Sequence, residues 1–158
     1  MKGRYFEELE VGAVYTTARV SLTEDAIIRF GFEWDPQPFH IDRMAASESM
    51  FGGLIASGYH TMLVSYRLYF DHGLLRETAM AGLGFDEVRF RKPLRPADTI
   101  KVVITVVEKR MSSKPDRGIA RLKLETVNQD DEIIMSMYLT PLVACRPDGR
   151  ERDERLRF

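Results

Sequence analysis

The stretch LIASGYHTMLVSYRLYF, residues 54–70, is the most hydrophobic segment of helical length in the chain. Its apolar side chains, Met62 and Leu68 among them, cover nearly every face of a helix. A helix that is apolar all round is normally buried all round, so we expect this segment to lie inside the protein. The following Asp71-His72-Gly73 predicts its end, with Gly73 as a left-handed cap and His72 as a favourable charge at the helix C-terminus.

Downstream of this helix the pattern changes to that of β-strands. The apolar residues alternate most clearly from Ile100 to Val106, and the first strand slips by one position between Phe85 and Val88, as a β-bulge would make it. Because the connecting turns are short, we expect consecutive strands to be antiparallel neighbours. The four segments with strand patterns are residues 85–91, 99–109, 119–127 and 133–143.

Upstream of the helix the chain contains a strand pattern and two shorter helices. Residues 14–20 are rich in β-branched and aromatic side chains and predict a first strand. The Ser21-Leu22-Thr23-Glu24-Asp25 sequence starts a helix, which should end near Trp34 because proline follows Asp35. Asp42 is placed to cap a further short helix over residues 43–48.

These elements together predict an α+β fold, in which a curved antiparallel sheet wraps around one long buried helix. Such a sheet leaves its edge strands unpaired, and dimerisation through an edge would cover them. With 158 residues, the chain fits a single domain, which we place at residues 1–145, followed by a charged tail at 146–158.

Composition excludes several classes of function. The net charge of -1 and the pI of about 6.3 argue against a general nucleic-acid binder. Cys145 is the single cysteine, so no internal disulfide forms, a reducing compartment is expected, and no metal site can use a cysteine pair. The three histidines lack the partner spacing of a metal site, so we expect no metal. No secretion signal or run of 18 apolar residues is present, which predicts a cytoplasmic protein without a membrane span.

A carboxylate and an imidazole meet on the stiff stretch Asp35-Pro36-Gln37-Pro38-Phe39-His40-Ile41-Asp42. Fully extended, five residues would separate Asp35 from His40 by up to roughly 17 Å, so a shared site requires the chain to fold back at its two prolines. One interpretation is structural, with Asp35 or Asp42 capping a helix and His40 on the surface. The other is an acid/base pair that holds and polarises a water molecule.

The chain resembles the MaoC-like dehydratases, the (R)-specific enoyl-CoA hydratase group of the hot-dog fold. The resemblance covers roughly residues 5–145 and rests on Asp35, His40 and Asp42, on residues 51–58 leading into the long helix, and on Arg95-Pro96-Ala97-Asp98-Thr99. It implies hydration of a 2-enoyl thioester, or dehydration of a (3R)-hydroxyacyl thioester, carried by coenzyme A or acyl carrier protein. No cofactor is expected. The resemblance also implies a homodimer or higher homo-oligomer, with the site at the subunit boundary.

Carried over by this resemblance, Asp35 is the base that takes the water proton. His40 orients the water and shares in proton transfer to C2. The N–H of Gly58, at the start of the long helix, is our choice for stabilising the thioester oxygen, although Gly58 also suits a simple tight turn into the helix. Two positions depart from the family pattern. Gln37 replaces an Asn, and Ser57, which we place beside the substrate, replaces a frequent His. These departures leave open whether the hydration reaction is retained.

Further side chains are candidates for binding the substrate. An acyl chain needs an apolar tunnel, for which Phe39, Tyr59 and Met62 are placed, although each is also suited to an ordinary core. Phosphates need cations, and four lie within seven residues without an acid among them, although such a cluster also suits a solvated strand end. These cations are Arg89, Arg91, Lys92 and Arg95. His60 is expected as a polar lining or capping residue.

Two other functions use this fold. Acyl-CoA thioesterases usually place a carboxylate on or near the central helix, whereas residues 54–70 contain neither Asp nor Glu. A non-catalytic acyl-CoA-binding protein would keep the fold and the motif, and the changes at Gln37 and Ser57 keep this alternative open.

Overall fold

A computed structural model describes residues 3–147. Its helical elements are a 3-10 turn at Phe6–Glu8, then α1 (Glu24–Trp34), α2 (Pro38–Ile41), α3 (Arg43–Glu48) and α4 (Gly58–His72). Its strands are β1 (Val14–Thr16), β2 (Val20–Ser21), β3 (Ala79–Phe90), β4 (Thr99–Met111), β5 (Arg117–Val127) and β6 (Ile133–Ala144). The predicted α+β architecture, a curved antiparallel sheet around a long helix, is confirmed.

The strand order is β1-β4-β5-β6-β3, and β2 pairs separately with β4. The expectation that β3 and β4 are neighbours is therefore wrong, because β3 pairs with β6 at the far edge of the sheet. The connection after β3 does not turn back as a hairpin. Arg91 and Lys92 both donate main-chain hydrogen bonds to the Ile134 carbonyl, and the buried Leu94 accepts one from Ala56, so the chain crosses to the start of α4.

Local turn chemistry agrees with the sequence in several places. Thr23 caps α1 by accepting a hydrogen bond from the Ala26 N–H, and Gly73 ends α4 in a left-handed conformation at φ 77°. The register of β3 shifts on both sides of Phe85, and Glu87 has φ 50°, which confirms an irregularity where the apolar spacing slips. The predicted first strand is divided into β1 and β2, which both pair with β4.

The core lies between α4 and the concave face of the sheet. The inward side chains of β4 and β5, such as Ile104 and Leu124, are fully buried and alternate with less buried ones. Helix and sheet are also joined by a buried hydrogen bond of 2.7 Å between the hydroxyls of Ser65 and Thr126. Because Ser65 donates to the Thr61 carbonyl, the proton between these hydroxyls comes from Thr126.

The expectation that α4 is buried on every face is wrong. One stripe is uncovered in the single chain, with side chains between 37% and 65% exposed: Tyr59, Leu63, Tyr66 and Phe70. It lies beside the edge strand β3, and Tyr66 packs edge-on against Phe85 at 5.7 Å between ring centroids. Several apolar side chains of β3 are likewise exposed: Met80, Leu83, Phe85 and Phe90. We call these eight residues the α4–β3 face.

At the C-terminal end of the described residues, Arg146 contacts the first helical turn. Its main-chain N–H donates to Glu7 and its guanidinium pairs with Glu8. The rest of the predicted tail, residues 148–158, lies outside the described residues. Within residues 3–147, no helix is both long and apolar enough to cross a membrane.

Candidate active site

Asp35 and His40 are brought together by a change of helix direction. Helix α1 ends at Trp34, and the Asp35 N–H closes its last turn on the Gly31 carbonyl. Pro38 then opens α2, where its fixed φ suits the first helical position and its missing N–H costs nothing. This turn places His40 Nε2 at 3.4 Å from Asp35 Oδ2. The short helix α2 was not predicted from the sequence, yet it shortens the distance between the side chains of Asp35 and His40.

The protonation site of the neutral His40 ring is fixed by a main-chain oxygen. Nδ1 lies 2.7 Å from the Ile55 carbonyl oxygen, which can only accept a hydrogen bond. Nδ1 therefore carries the proton, and Nε2 is the nitrogen that faces Asp35 and is free to exchange one. The ring is 5% exposed, and the Phe39 ring packs edge-on against it at 4.6 Å.

Asp35 has a second partner, which comes from the start of α4. The Ser57 hydroxyl donates to Asp35 Oδ2 at 2.6 Å and accepts from the Tyr59 N–H at 3.2 Å. Ser57 is thus both the N-cap of α4 and a hydrogen-bond donor to the Asp35 carboxylate. The Asp35 side chain remains 20% exposed, so a small molecule can reach it.

Each of the two interpretations of the Asp35–Asp42 stretch applies to one of its acids: the helix cap to Asp42 and the pairing with His40 to Asp35. Asp42 caps α3, with Oδ1 accepting from the Met44 and Ala45 N–H groups. Asp35 caps no helix through its side chain, and His40 is buried instead of lying on the surface. The Gln37 side chain makes no hydrogen bond within the described part of the chain. The loop is closed instead by main-chain hydrogen bonds. The Gln37 N–H donates to the Asp35 carbonyl at 2.8 Å, and the His40 N–H donates to the Gln37 carbonyl at 2.9 Å.

Gly58 occupies the first position of α4 and borders a cleft of about 280 Å³. No oxygen of residues 3–147 accepts a hydrogen bond from its N–H. A Cβ at this position would lie 2.7 Å from Cζ of Phe90, so any residue larger than glycine requires the Phe90 ring to move. The cleft is lined, among others, by His40, Gly58, Thr61, Phe90, Arg91 and Lys92. Asp35 and Ser57 are not lining residues in the single chain.

The predicted cation cluster is divided by the structure. Arg91 and Lys92 line the cleft, where Arg91 donates to the Ser136 hydroxyl at 3.3 Å and Lys92 pairs with Glu132. Arg95 instead donates to the Phe51 carbonyl at 2.7 Å. Arg89 donates to the neighbouring Val88 carbonyl and does not line the cleft.

The predicted tunnel residues also occupy different places. Phe39 packs between His40 and Phe51, with 5.1 Å between the two phenylalanine centroids. Met62 lines a neighbouring groove of about 370 Å³ between α4 and β3, whose wall includes Gly82 and Gly84. Tyr59 lies on the α4–β3 face, 65% exposed, and lines neither space.

His60 is neither a capping residue nor a lining residue of the cleft. Its ring stacks flat on Phe30 at 4.4 Å, and its buried Nδ1 has no hydrogen-bond partner in the described structure. Burial lowers the pKa of His60 below its ordinary value, because the charged imidazolium loses its hydration. The sequence held no signal for this stacking, nor for the Ile55 carbonyl and the Phe90 ring at the site.

Comparison with known proteins identifies the family of this chain. A family model described as "MaoC like domain" matches residues 7–128, more than half of the chain. The chain belongs to the MaoC-like family. It is also 38% identical to a solved MaoC-like dehydratase from Rhodospirillum rubrum, with a TM-score of 0.87, covering 92% of this chain and all of that one. The hot-dog fold implied by the sequence motifs is thereby confirmed.

Two curated relatives of the MaoC-like chain span most of its length. An uncharacterized Bacillus subtilis protein, YdeM, is 31% identical over 137 residues, which cover 87% of this chain and 96% of the relative. A 3-hydroxybutyryl-CoA dehydratase from Methylorubrum extorquens is 29% identical over 136 residues, covering 83% and 78%. The names of the two dehydratases thus connect the family with dehydration, the reverse of hydration.

Proposed function

We propose that this protein adds water to a 2-enoyl thioester, or removes it from a (3R)-hydroxyacyl thioester. The observation that carries the proposal is the 3.4 Å approach of His40 Nε2 to Asp35 Oδ2, with the unpaired N–H of Gly58 at the neighbouring cleft. Two acceptor atoms face each other when His40 is neutral, and a water molecule between them can satisfy both.

In the hydration direction, the water oxygen forms a bond to C3 of the enoyl group while Asp35 takes one water proton. Negative charge moves to the thioester oxygen, where the Gly58 N–H and the positive end of α4 stabilise it. C2 then receives a proton from the Asp35–His40 pair, with His40 exchanging through Nε2. One water proton stays on the new hydroxyl and the other ends on C2, so the pair returns to its starting state. Dehydration is the reverse.

We assign the carrier to coenzyme A, with acyl carrier protein as the alternative. Arg91 and Lys92 line the cleft and can meet phosphate groups, while Arg89 and Arg95 lie farther along the same segment. The acyl chain would extend past Met62 into the groove between α4 and β3, with Phe39 holding the His40 ring. Because Tyr59 lines neither space in the single chain, it would contact the substrate only if a second subunit covers the Tyr59 side chain.

The exposed α4–β3 face supports a homodimer. A stripe of apolar residues on a helix beside an unpaired edge strand is a typical protein contact surface. A second copy placed there would pair the β3 edges, cover the stripe and narrow the cleft beside Gly58. We therefore propose that the active unit is a homodimer with its sites at the subunit boundary.

Two broader assignments complete the proposal. We treat residues 1–145 as one domain followed by a charged tail from residue 146. The cytoplasm is the proposed location, since a reducing compartment agrees with the single Cys145.

The proposal is tested by hydration of crotonyl-CoA, followed by the loss of enoyl absorbance. Asp35→Asn and His40→Ala should each reduce turnover by about 100-fold or more, because each removes a proton-transfer group. Asp42→Asn is the matched control, since Asn remains a good helix cap and Asp42 lies in the same motif. Near wild-type turnover in Asp35→Asn or His40→Ala would remove the acid/base assignment.

A free-thiol assay run beside it separates the alternative functions. Hydration without thiol release supports the proposal. Thiol release without hydration would identify a thioesterase, and tight binding of the thioester with neither reaction would identify a binding protein.

A further inference from the structure

The Ser57 hydroxyl makes two hydrogen bonds that serve different parts of the molecule. It accepts from the Tyr59 N–H within α4 and donates to Asp35 Oδ2, 22 residues earlier in the chain. We propose that Ser57 is a positioning residue, which holds the Asp35 carboxylate in register with the Gly58 N–H. This inference rests on the proposed function and adds to it a residue that was expected only to contact substrate.

The direction of these bonds is fixed by the groups around Ser57. The Tyr59 N–H is a donor, so it occupies a lone pair of the hydroxyl and leaves the hydroxyl proton available. The Ser57 carbonyl separately accepts from the N–H and the hydroxyl of Thr61. Because Ser57 is 1% exposed, water does not compete for its proton. The proton therefore goes to Asp35, at a distance of 2.6 Å that is typical of a hydroxyl bound to a carboxylate.

An N-cap alone would not require this contact. Capping explains the bond to Tyr59, and the exposed Thr23 caps α1 at the same 3.2 Å without contacting any carboxylate. At Ser57 the second bond joins the end of α1 to the start of α4. It also engages the same oxygen of Asp35 that faces His40, and leaves Oδ1 without a protein partner in the described structure.

The consequence for the reaction is geometric. The proton acceptor Asp35 and the oxyanion donor Gly58 belong to different helices, and Ser57 is adjacent to Gly58 in the chain. Without the hydroxyl, the carboxylate can rotate about its side-chain bonds and move away from the substrate carbon. Misplacement of a catalytic group by about 1 Å can reduce turnover by about 100-fold, whereas binding of the thioester through its other contacts is little changed.

The test uses Ser57→Gly in the full-length protein, because glycine is tolerated at an N-cap and the substitution removes the hydroxyl. We expect kcat for crotonyl-CoA hydration to fall about 10-fold to 100-fold, with KM changed less than about threefold. Thr23→Gly is the control, because Thr23 makes a capping hydrogen bond of the same length as that of Ser57 but does not donate to a carboxylate. The kcat of Thr23→Gly should equal that of wild type. Equal kcat values in Ser57→Gly and wild type would overturn the inference.

A measurement that does not depend on activity separates this inference from the proposed function. In a double-mutant cycle of Ser57→Gly and Asp35→Ala, followed by urea unfolding at one protein concentration, a direct bond predicts non-additive effects. We expect a coupling of about 10-fold in the unfolding equilibrium constant. If wild type does not hydrate crotonyl-CoA, the proposed function fails while this coupling still supports the Ser57–Asp35 contact. Additive effects would overturn the contact itself, whatever the activity.

Discussion

The substitution Gly58→Ala should separate catalysis from stability. The new Cβ would lie 2.7 and 2.8 Å from two atoms of the Phe90 ring, where ordinary carbon contacts require about 3.5–4.0 Å. The ring must therefore retreat by about 1 Å, and it can do so because it is 56% exposed. An off-rotamer ring costs about 0.5–1.5 kcal/mol. Replacing glycine in a helix by alanine returns up to about 1 kcal/mol.

These opposing effects leave the free energy of unfolding within about 1 kcal/mol of wild type, or a Tm change of about 4 °C at most. Activity should change far more, because the methyl group and the displaced ring both occupy the cleft beside the Gly58 N–H. Loss of one oxyanion donor typically costs about 100-fold to 1000-fold in kcat, and we expect a loss in that range.

The assay is crotonyl-CoA hydration, run in parallel with thermal unfolding. A double variant, Gly58→Ala with Phe90→Ala, removes the ring and leaves the methyl group. If the methyl group blocks approach to the N–H, the double variant stays far below Phe90→Ala alone. Wild-type kcat in Gly58→Ala, in a folded protein, would refute the assignment of Gly58 as the oxyanion donor.

Three further outcomes are expected. Leu63→Asp places a charge on the α4–β3 face and should weaken the dimer by at least about 30-fold, read as a shift to monomer in light scattering at micromolar concentration; a dimer of unchanged affinity would contradict the proposed interface. Ala97→Gly should raise Tm by about 2–4 °C, because Ala97 has φ 69° and glycine adopts this conformation without strain; a lower Tm would show that no strain is relieved. Below pH 6.5 the unfolded chain protonates His60 while the folded protein, with its lowered pKa, does not, so stability falls as the pH decreases from 6.5 towards that pKa. The neutral His60→Phe variant should therefore show a shallower loss of urea midpoint between pH 7 and pH 5, and an unchanged slope would refute this role of His60.

Local chemistry made the secondary structure predictable. The cap at Thr23, the left-handed Gly73 and the alternation along β4 each depend on residues within a few positions of one another. The place of β3 was not predictable in this way, because it depends on pairing with β6, more than 40 residues later. The uncovered stripe of α4 was missed for a related reason, since composition does not distinguish a helix that its own sheet covers completely from one that the sheet leaves partly exposed.

At the candidate site, the sequence pointed to residue types but not to their contacts. The spacing of Asp35 and His40 suggested a pair, and the structure brings them together through the α2 turn. The bond from Ser57 to Asp35 and the division of the cation cluster required coordinates, because they depend on how distant segments cross. From the sequence, Ser57 was a departure from the family pattern and a substrate contact, and its bond to Asp35 was not predicted.

The acceptor for the His40 Nδ1 proton is a peptide oxygen, which every amino acid supplies. No side-chain replacement at Ile55 deletes that oxygen. A substitution of Ile55 should therefore leave the proton of the His40 ring on Nδ1. Substitutions of Ile55 should be judged by their effect on packing, since its side chain is 6% exposed. Only a change in the path of the peptide backbone there would move this acceptor away from the ring.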